Sequence, residues 1–366
     1  MRHWSTVVST SDFAITAEAV SPRSITILPT YRCSAACDQC CFESNPRLRH
    51  RLDLQTILCR IDEAVTSFPE LELVVFSGGE VFLLKEDLFT AIEHAHARGM
   101  SVRCVTNAFW GKRPGHAQEI AERLVDVGCS EVNISTGRDH QQWVPFEAIE
   151  NACEALINAG MTTLVTIESD AADSSCLTAA LKSPTLSHLL RTNPLLFTIQ
   201  CNSWMPFNSE YVERGAAQGL AALKEGCTQI FSNVVVNPYD ELAACCGLTF
   251  EHIPELKLGH LSNAGMRQLY DASLQDFLKI WIHVDGPGTI LRKLFGDTIN
   301  EKFSEVRHIC QACAILHKDE VVRDMLRMRY HEFVSEVLLR WNARIALRTL
   351  ETGRHGASQQ FEEQSV

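Results

Sequence analysis

From residue 24 onward, short apolar runs alternate with longer segments whose apolar positions recur at helical spacing. The runs SITILPT (24–30), LELVVFS (71–77), MSVRCVT (100–106), SEVNIST (130–136), MTTLVTI (161–167) and LLFTIQC (195–201) predict strands. Amphipathic segments near 52–67, 86–98, 116–127, 146–159 and 174–191 predict the helices between them. Several of these end in glycine just before the next strand, in ARGM, DVGCS and NAGM, a common helical stop. Parallel strands need long crossovers, and each helix supplies one. Six repeats in order therefore predict an α/β fold, a parallel sheet covered by helices with right-handed crossovers. Sheets of this kind carry reactive residues at the carboxyl ends of their strands.

The pattern changes after about residue 202. The stretch IFSNVVVNPYDELAACCG reads as a hairpin, with Asn237, Pro238, Tyr239 and Asp240 making the turn. This predicts a barrel-like unit at 23–201, a smaller α+β module at 202–313, an amphipathic helical segment at 314–351 and an irregular polar tail at 352–366. Residues 1–22 read as a short lead-in, too short for a peptide-recognition domain of their own.

Charge and composition narrow the function. A net charge of −12 over 366 residues argues against nucleic-acid binding, which needs a basic footprint. There is no apolar run of membrane-spanning length, and the opening MRHWSTVVSTSDF lacks the apolar region of a signal peptide. The expectation is a cytoplasmic protein whose 15 cysteines, an odd number, are reduced thiols. Clustered cysteines then point to metal or cluster ligation.

The densest cluster is TYRCSAACDQCCF, just after the first strand. Cys33, Cys37 and Cys40 have three and then two residues between them. A loop of that spacing can wrap three thiolates around one face of a cubane and leave the fourth iron without a protein ligand. An open iron is a place to bind and reduce a substrate. Zinc would need a fourth ligand, for which His50 is the nearby candidate.

At this point the sequence resembles the radical S-adenosylmethionine (SAM) superfamily. The resemblance implies a partial (β/α)6 TIM-like barrel and a [4Fe–4S] cluster on Cys33, Cys37 and Cys40. It implies SAM chelating the open iron and reductive cleavage to a 5′-deoxyadenosyl radical that abstracts hydrogen from a substrate. A one-electron donor such as flavodoxin or ferredoxin is implied as a partner. The family usually has an aromatic residue just before the third cysteine; here it is Gln39. Gly78, Gly79 and Glu80 in FSGGEV end the second strand and resemble the family's motif for the methionine amino group. Ser135 and Glu168, ending the fourth and fifth strands, are placed by the same resemblance toward SAM, and Thr106 and Asn107 point to the same mouth. A helix cap or turn is an equal reading of Ser135.

Four further cysteines return downstream. Cys227 precedes the hairpin, Cys245 ends it, and Cys310 and Cys313 follow a long insertion. Four thiols would close a second cluster completely. Their order resembles the Twitch module, a shortened SPASM extension, which implies an auxiliary [4Fe–4S] cluster. A structural zinc, with His308 and His317 beside the last pair, is the competing reading. Adjacent side chains of a strand point to opposite faces, so if Cys245 faces the second set, Cys246 faces elsewhere. Radical SAM peptide epimerases resemble this arrangement, with a cysteine returning hydrogen to the opposite face of a Cα radical. The expected function is therefore modification of a ribosomally made peptide, foremost Cα epimerisation with Cys246 as donor. Oxidation or cross-linking with the auxiliary cluster as electron acceptor is the alternative, and a zinc-stapled binding module is the non-enzymatic one. Cys41 reads as a buried small hydrophobe.

Overall fold

A computed structural model describes residues 20–169, 174–204, 219–296, 299 and 303–363, with backbone alone beyond residue 348. Most of the lead-in lies outside the described residues. Six parallel strands run consecutively across one sheet: β1 (Ser24–Ile27), β2 (Leu73–Phe76), β3 (Ser101–Thr106), β4 (Glu131–Thr136), β5 (Thr162–Glu168) and β6 (Phe197–Asn202). The crossovers carry α1 (Leu54–Ser67), α2 (Glu86–His96), α3 (Pro114–Asp126) and α4 (Phe146–Asn158). Gly99, Gly128 and Gly160 follow α2, α3 and α4 at φ of +77°, +80° and +78°, the left-handed backbone that ends a helix without steric cost in glycine.

The fifth crossover departs from the single helix expected at 174–191. It is split into α5 (Ser175–Lys182) and α6 (Pro184–Thr192). Pro184 lacks the N–H that a continuous helix would need, so Ser183 ends one helix and caps the next, accepting from the Leu186 N–H at 3.1 Å.

A short α7 (Gly219–Ala222) precedes the hairpin, which forms as β7 (Asn233–Val236) and β8 (Glu241–Ala243) around the 237–240 turn. Its partner is the barrel itself. β7 lies parallel to β1, Ser24 opposite Asn233, and β9 (Lys257–His260) follows β8, so the sheet has nine strands in the order 6-5-4-3-2-1-7-8-9. Arg60 of α1 grips the turn through two contacts to Asp240, both 2.7 Å. The apolar core is continuous across the junction. Phe68, at the end of α1, packs edge-on against Tyr270 with ring centres 5.2 Å apart, and Tyr270 donates to the Phe231 carbonyl at 2.9 Å.

Helices α8 (Met266–Ser273), α9 (Phe277–Asp285), α10 (Pro287–Phe295), α11 (Ile309–Lys318), α12 (Glu320–Arg329) and α13 (Val334–Glu363) complete the chain. The tail read as irregular continues the last helix to Glu363. It contains no proline to stop it. Among the described residues no helix is long and apolar enough to cross a membrane.

Candidate functional site

The loop after β1 carries the first cysteine set. Cys33 is buried, while Cys37 and Cys40 are half-buried and joined by a turn in which the Cys40 N–H reaches the Cys37 carbonyl at 3.2 Å. Donors converge on the sulfurs. The Ala35 N–H points at Cys33 Sγ (3.4 Å), the Ser44 N–H at Cys40 Sγ (3.4 Å), and Asn107 Nδ2 at Cys33 Sγ (3.6 Å). Without iron, burial pushes the Cys33 thiol up to about 12, assisted by the nearby Glu80, and burial also raises Cys37. Thiols that resist ionisation yet face oriented N–H groups suit a bound cation, which replaces the proton while the donors stabilise the thiolate.

The loop is held from below by the end of β2. Gly79 donates to the Thr30 carbonyl at 2.8 Å and Glu80 to the Arg32 carbonyl at 2.9 Å. A Cβ on Gly79 would lie 2.1 Å from the Arg32 oxygen, so only glycine lets the two backbones meet. Gly78 and Gly79 are in the wall of the cavity above the loop. The Glu80 side chain stands behind that wall, fully buried. Its carboxylate accepts from the Phe82 N–H (3.0 Å), the Asn107 N–H (2.8 Å) and the Thr106 hydroxyl (2.9 and 3.0 Å). Burial lifts it to about 7, against the lowering effect of those donors. Glu80 thus holds Asn107 in place; Asn107 in turn reaches Cys33.

Ser135, at the end of β4, is half-buried in the cavity wall. Glu168, at the end of β5, is buried and accepts the Asp139 N–H at 3.1 Å; Asp139 accepts the Gln39 N–H at 3.1 Å. Two strand ends are thereby tied to the cysteine loop. His140, Trp204 and Cys41 are also in the wall; the first two carry no role in the sequence analysis, and Cys41, expected to be a buried small hydrophobe, borders the cavity. The His140 and Trp204 rings meet edge-to-face with centres 4.2 Å apart. A lone aromatic just past a strand end was their only signal. The cavity holds about 320 Å³.

The second cysteine set comes from three segments. Cys310 and Cys313 occupy one face of α11's first turn, Cys227 precedes β7, and Cys245 follows β8. Cys227 and Cys310 lie near enough to Cys245, and Cys245, Cys310 and Cys227 near enough to Cys313, to make ionisation of each harder. Burial pushes Cys245 and Cys313 well up and Cys310 to about 12. A Cβ on Gly247 would lie 3.1 Å from Cys310 Sγ and 3.6 Å from Cys245 Sγ. The flanking histidines bond the backbone, and His317 Nδ1 also lies 3.7 Å from Cys313 Sγ. His308 Nδ1 accepts the Cys310 N–H at 3.1 Å and His317 Nδ1 donates to the Cys313 carbonyl at 2.8 Å. All 15 cysteines are free thiols. Among the described residues no three His, Cys, Asp or Glu side chains form a group fitted to one metal ion. A cubane makes no such demand, since each thiolate binds a different iron.

Cys245 and Cys246 diverge. They lie just past β8 rather than within it, yet Cys246 joins the wall of the first cavity, with Thr26 of β1 hydrogen-bonded to its sulfur. One cavity therefore brings together Cys33, Cys37, Cys40, Gly78, Gly79, Ser135 and Cys246. Glu80 and Glu168 support it from outside, and Cys227, Cys245, Cys310 and Cys313 gather beside it, with Cys310 close enough to Cys246 for that neighbour to help raise its thiol.

Residues 27–170 match the family described as the Radical SAM superfamily. A Bacillus subtilis (strain 168) protein named for peptide biosynthesis, YydG, is 30% identical over 126 residues, covering 34% of this chain and 38% of that protein's length. Among solved structures, anSMEcpe with bound AdoMet and the Kp18Cys peptide has a TM-score of 0.51 at 12% identity, covering 86% of this chain and 99% of the other. A hexahistidine-tagged form of anSMEcpe with bound AdoMet has a TM-score of 0.50 at 12% identity, covering 89% and 98%. These likenesses establish a shared fold.

Proposed function

Residues 27–170 are a radical SAM domain, and from that premise we propose that the chain is a radical SAM enzyme acting on a peptide, with inversion of a Cα centre as its reaction. Cys33, Cys37 and Cys40 would hold the cluster, and Cys227, Cys245, Cys310 and Cys313 an auxiliary one. A reduced cluster with SAM bound supplies a 5′-deoxyadenosyl radical able to take hydrogen from a Cα–H bond. Gly78, Gly79 and Ser135 would border the SAM, while Glu80 and Glu168 position the loop that carries the ligands. Cys246 would return a hydrogen atom to the opposite face of the substrate carbon. The free thiols are consistent with a cytoplasmic setting and a flavodoxin- or ferredoxin-type electron donor.

The observation that carries inversion is the divergence of Cys245 and Cys246. Cys246 lines the cavity that holds the first set, whereas Cys245 is absent from that wall and is buried near Cys227, Cys310 and Cys313; Cys246 also lies near enough to Cys310 to help raise its thiol. The name of YydG and the peptide in the anSMEcpe structure support a peptide as the substrate class.

The test is anaerobic turnover in heavy water with synthetic peptides copied from short reading frames sought beside this chain's gene. Inversion predicts one solvent deuterium per product residue and unchanged mass otherwise. Cys246→Ala should still make 5′-deoxyadenosine but no inverted residue; normal inversion by that variant refutes the donor assignment. A second reading, oxidation with the auxiliary set accepting an electron, is favoured by its four available thiols. It predicts a product lighter by two hydrogens, with Cys246 dispensable.

A further inference from the structure

Cys41 sits where the two cysteine sets approach each other. It follows Cys40 directly, and Cys40, Cys246 and Cys310 are all near enough to make its ionisation harder. Cys41 and Cys246 both line the cavity. The segment is fixed rather than loose. The Cys41 carbonyl accepts from His252 Nε2 at 3.3 Å, and the next residue, Phe42, stacks on Tyr31 at 5.3 Å and meets Phe250 edge-on at 6.1 Å. A second thiol is thus held in the wall that carries the proposed donor.

We propose that Cys41 and Cys246 work as a thiol pair, in which Cys246 passes its radical to Cys41 after giving up its hydrogen atom. The inference rests on the inversion reading above. The steps balance. The substrate Cα radical takes a hydrogen atom from the Cys246 S–H, leaving a thiyl. That thiyl takes a hydrogen atom from the Cys41 S–H, so one S–H bond breaks as an equivalent one forms. Cys246 is restored, and the radical rests on Cys41. One electron from a low-potential donor of the flavodoxin or ferredoxin class, with one proton from solvent, restores Cys41. The gain is that Cys246 is reloaded by a neighbouring thiol while the product is still in place, so the thiyl no longer sits on the residue that has just given its hydrogen to the inverted centre.

Two measurements test the pair. Dibromobimane, which fluoresces when it bridges two nearby thiols, is applied anaerobically to the reconstituted enzyme, and bridged peptides are mapped by mass spectrometry. A Cys41–Cys246 bridge is expected; its absence overturns the pair whatever the substrate. Turnover of a peptide that the wild type inverts is then followed by rapid quench for wild type, Cys41→Ser and Cys41→Val. Both variants should invert one residue per enzyme in a first turnover and then stall, with 5′-deoxyadenosine showing an intact SAM site. Steady turnover like wild type by either variant overturns the relay and leaves Cys41 as packing. Cys246→Ala separates the levels: if it inverts normally, the donor reading itself falls, and the relay with it.

Discussion

Replacing Glu80 with Gln tests how the cysteine loop is held. The carboxylate is fully buried, and both of its oxygens are occupied, Oε1 by the Phe82 N–H and the Thr106 hydroxyl, Oε2 by the Asn107 N–H and the same hydroxyl. Its ionisation point is raised to about 7 by burial. An acid raised above its unfolded value binds its proton more tightly in the folded state. Its contribution therefore favours folding at low pH and is lost as pH rises through the folded value. Integrated from the ordinary glutamate value to about 7, that is about 3 kcal/mol. Between pH 8 and pH 6 the wild type should gain roughly 1 kcal/mol from this group. Gln does not titrate, and it turns an NH2 toward one of the two backbone N–H groups. The assay is urea unfolding of the cluster-free protein at pH 6, 7 and 8 for both proteins, under reducing conditions. Histidines contribute equally to the two profiles and cancel in the difference. The Glu80→Gln curve should be flatter by that amount. Parallel curves would refute the claim that a desolvated carboxyl, rather than an ordinary one, anchors Asn107.

Other expectations follow from single contacts. Gly79→Ala drives a Cβ into the Arg32 carbonyl and threatens two backbone hydrogen bonds, so it should cost about 2–4 kcal/mol and lower iron bound at the first set. Gly247→Ala, with its Cβ 3.1 Å from Cys310 Sγ, should reduce iron to about four per chain instead of about eight while SAM cleavage persists. Full iron in that variant argues against a cluster on the second set. Arg340→Ala removes a partner from buried Asp285, which keeps the Trp281 N–H at 2.9 Å and Lys293 at 3.0 Å. Because Arg340 is itself 40% exposed, a loss of about 1–2 kcal/mol is expected by thermal melting. Asp285 is held below the ordinary carboxylate range by Arg340, Lys293 and Trp281 despite its burial, so this contribution is present at neutral pH and fades as pH falls.

Local chemistry was readable along the chain, and long-range pairing was not. The six parallel strands stand within a few residues of their apolar runs, because alternating strand and helix periods have few other solutions. The 237–240 turn was legible from its asparagine, proline and aspartate. That the run NVVV lies against SITI, some 200 residues earlier, was not, since a short run with three β-branched residues carries no address. The module at 202–313 is consequently joined to the barrel through one sheet. Pro184 could have been read as a helix break, and the 174–191 expectation overlooked it. At the site, cysteine spacing exposed the ligand candidates, but the burial of Glu80 depends on the Thr106–Asn107 backbone arriving from another strand. Cys41 is the plainest case. Nothing in its spacing distinguishes a packed thiol from one lining a cavity.

The central claim is that Cys33, Cys37 and Cys40 carry an iron–sulfur cluster with one iron open to SAM. Chemical reduction of the anaerobically reconstituted enzyme with SAM, followed by quantification of 5′-deoxyadenosine, tests it most directly. The account predicts 5′-deoxyadenosine from the wild type and none from Cys37→Ala, although that variant should retain about four irons on the second set. No 5′-deoxyadenosine from folded, iron-loaded wild type, or equal amounts from the two proteins, would contradict it.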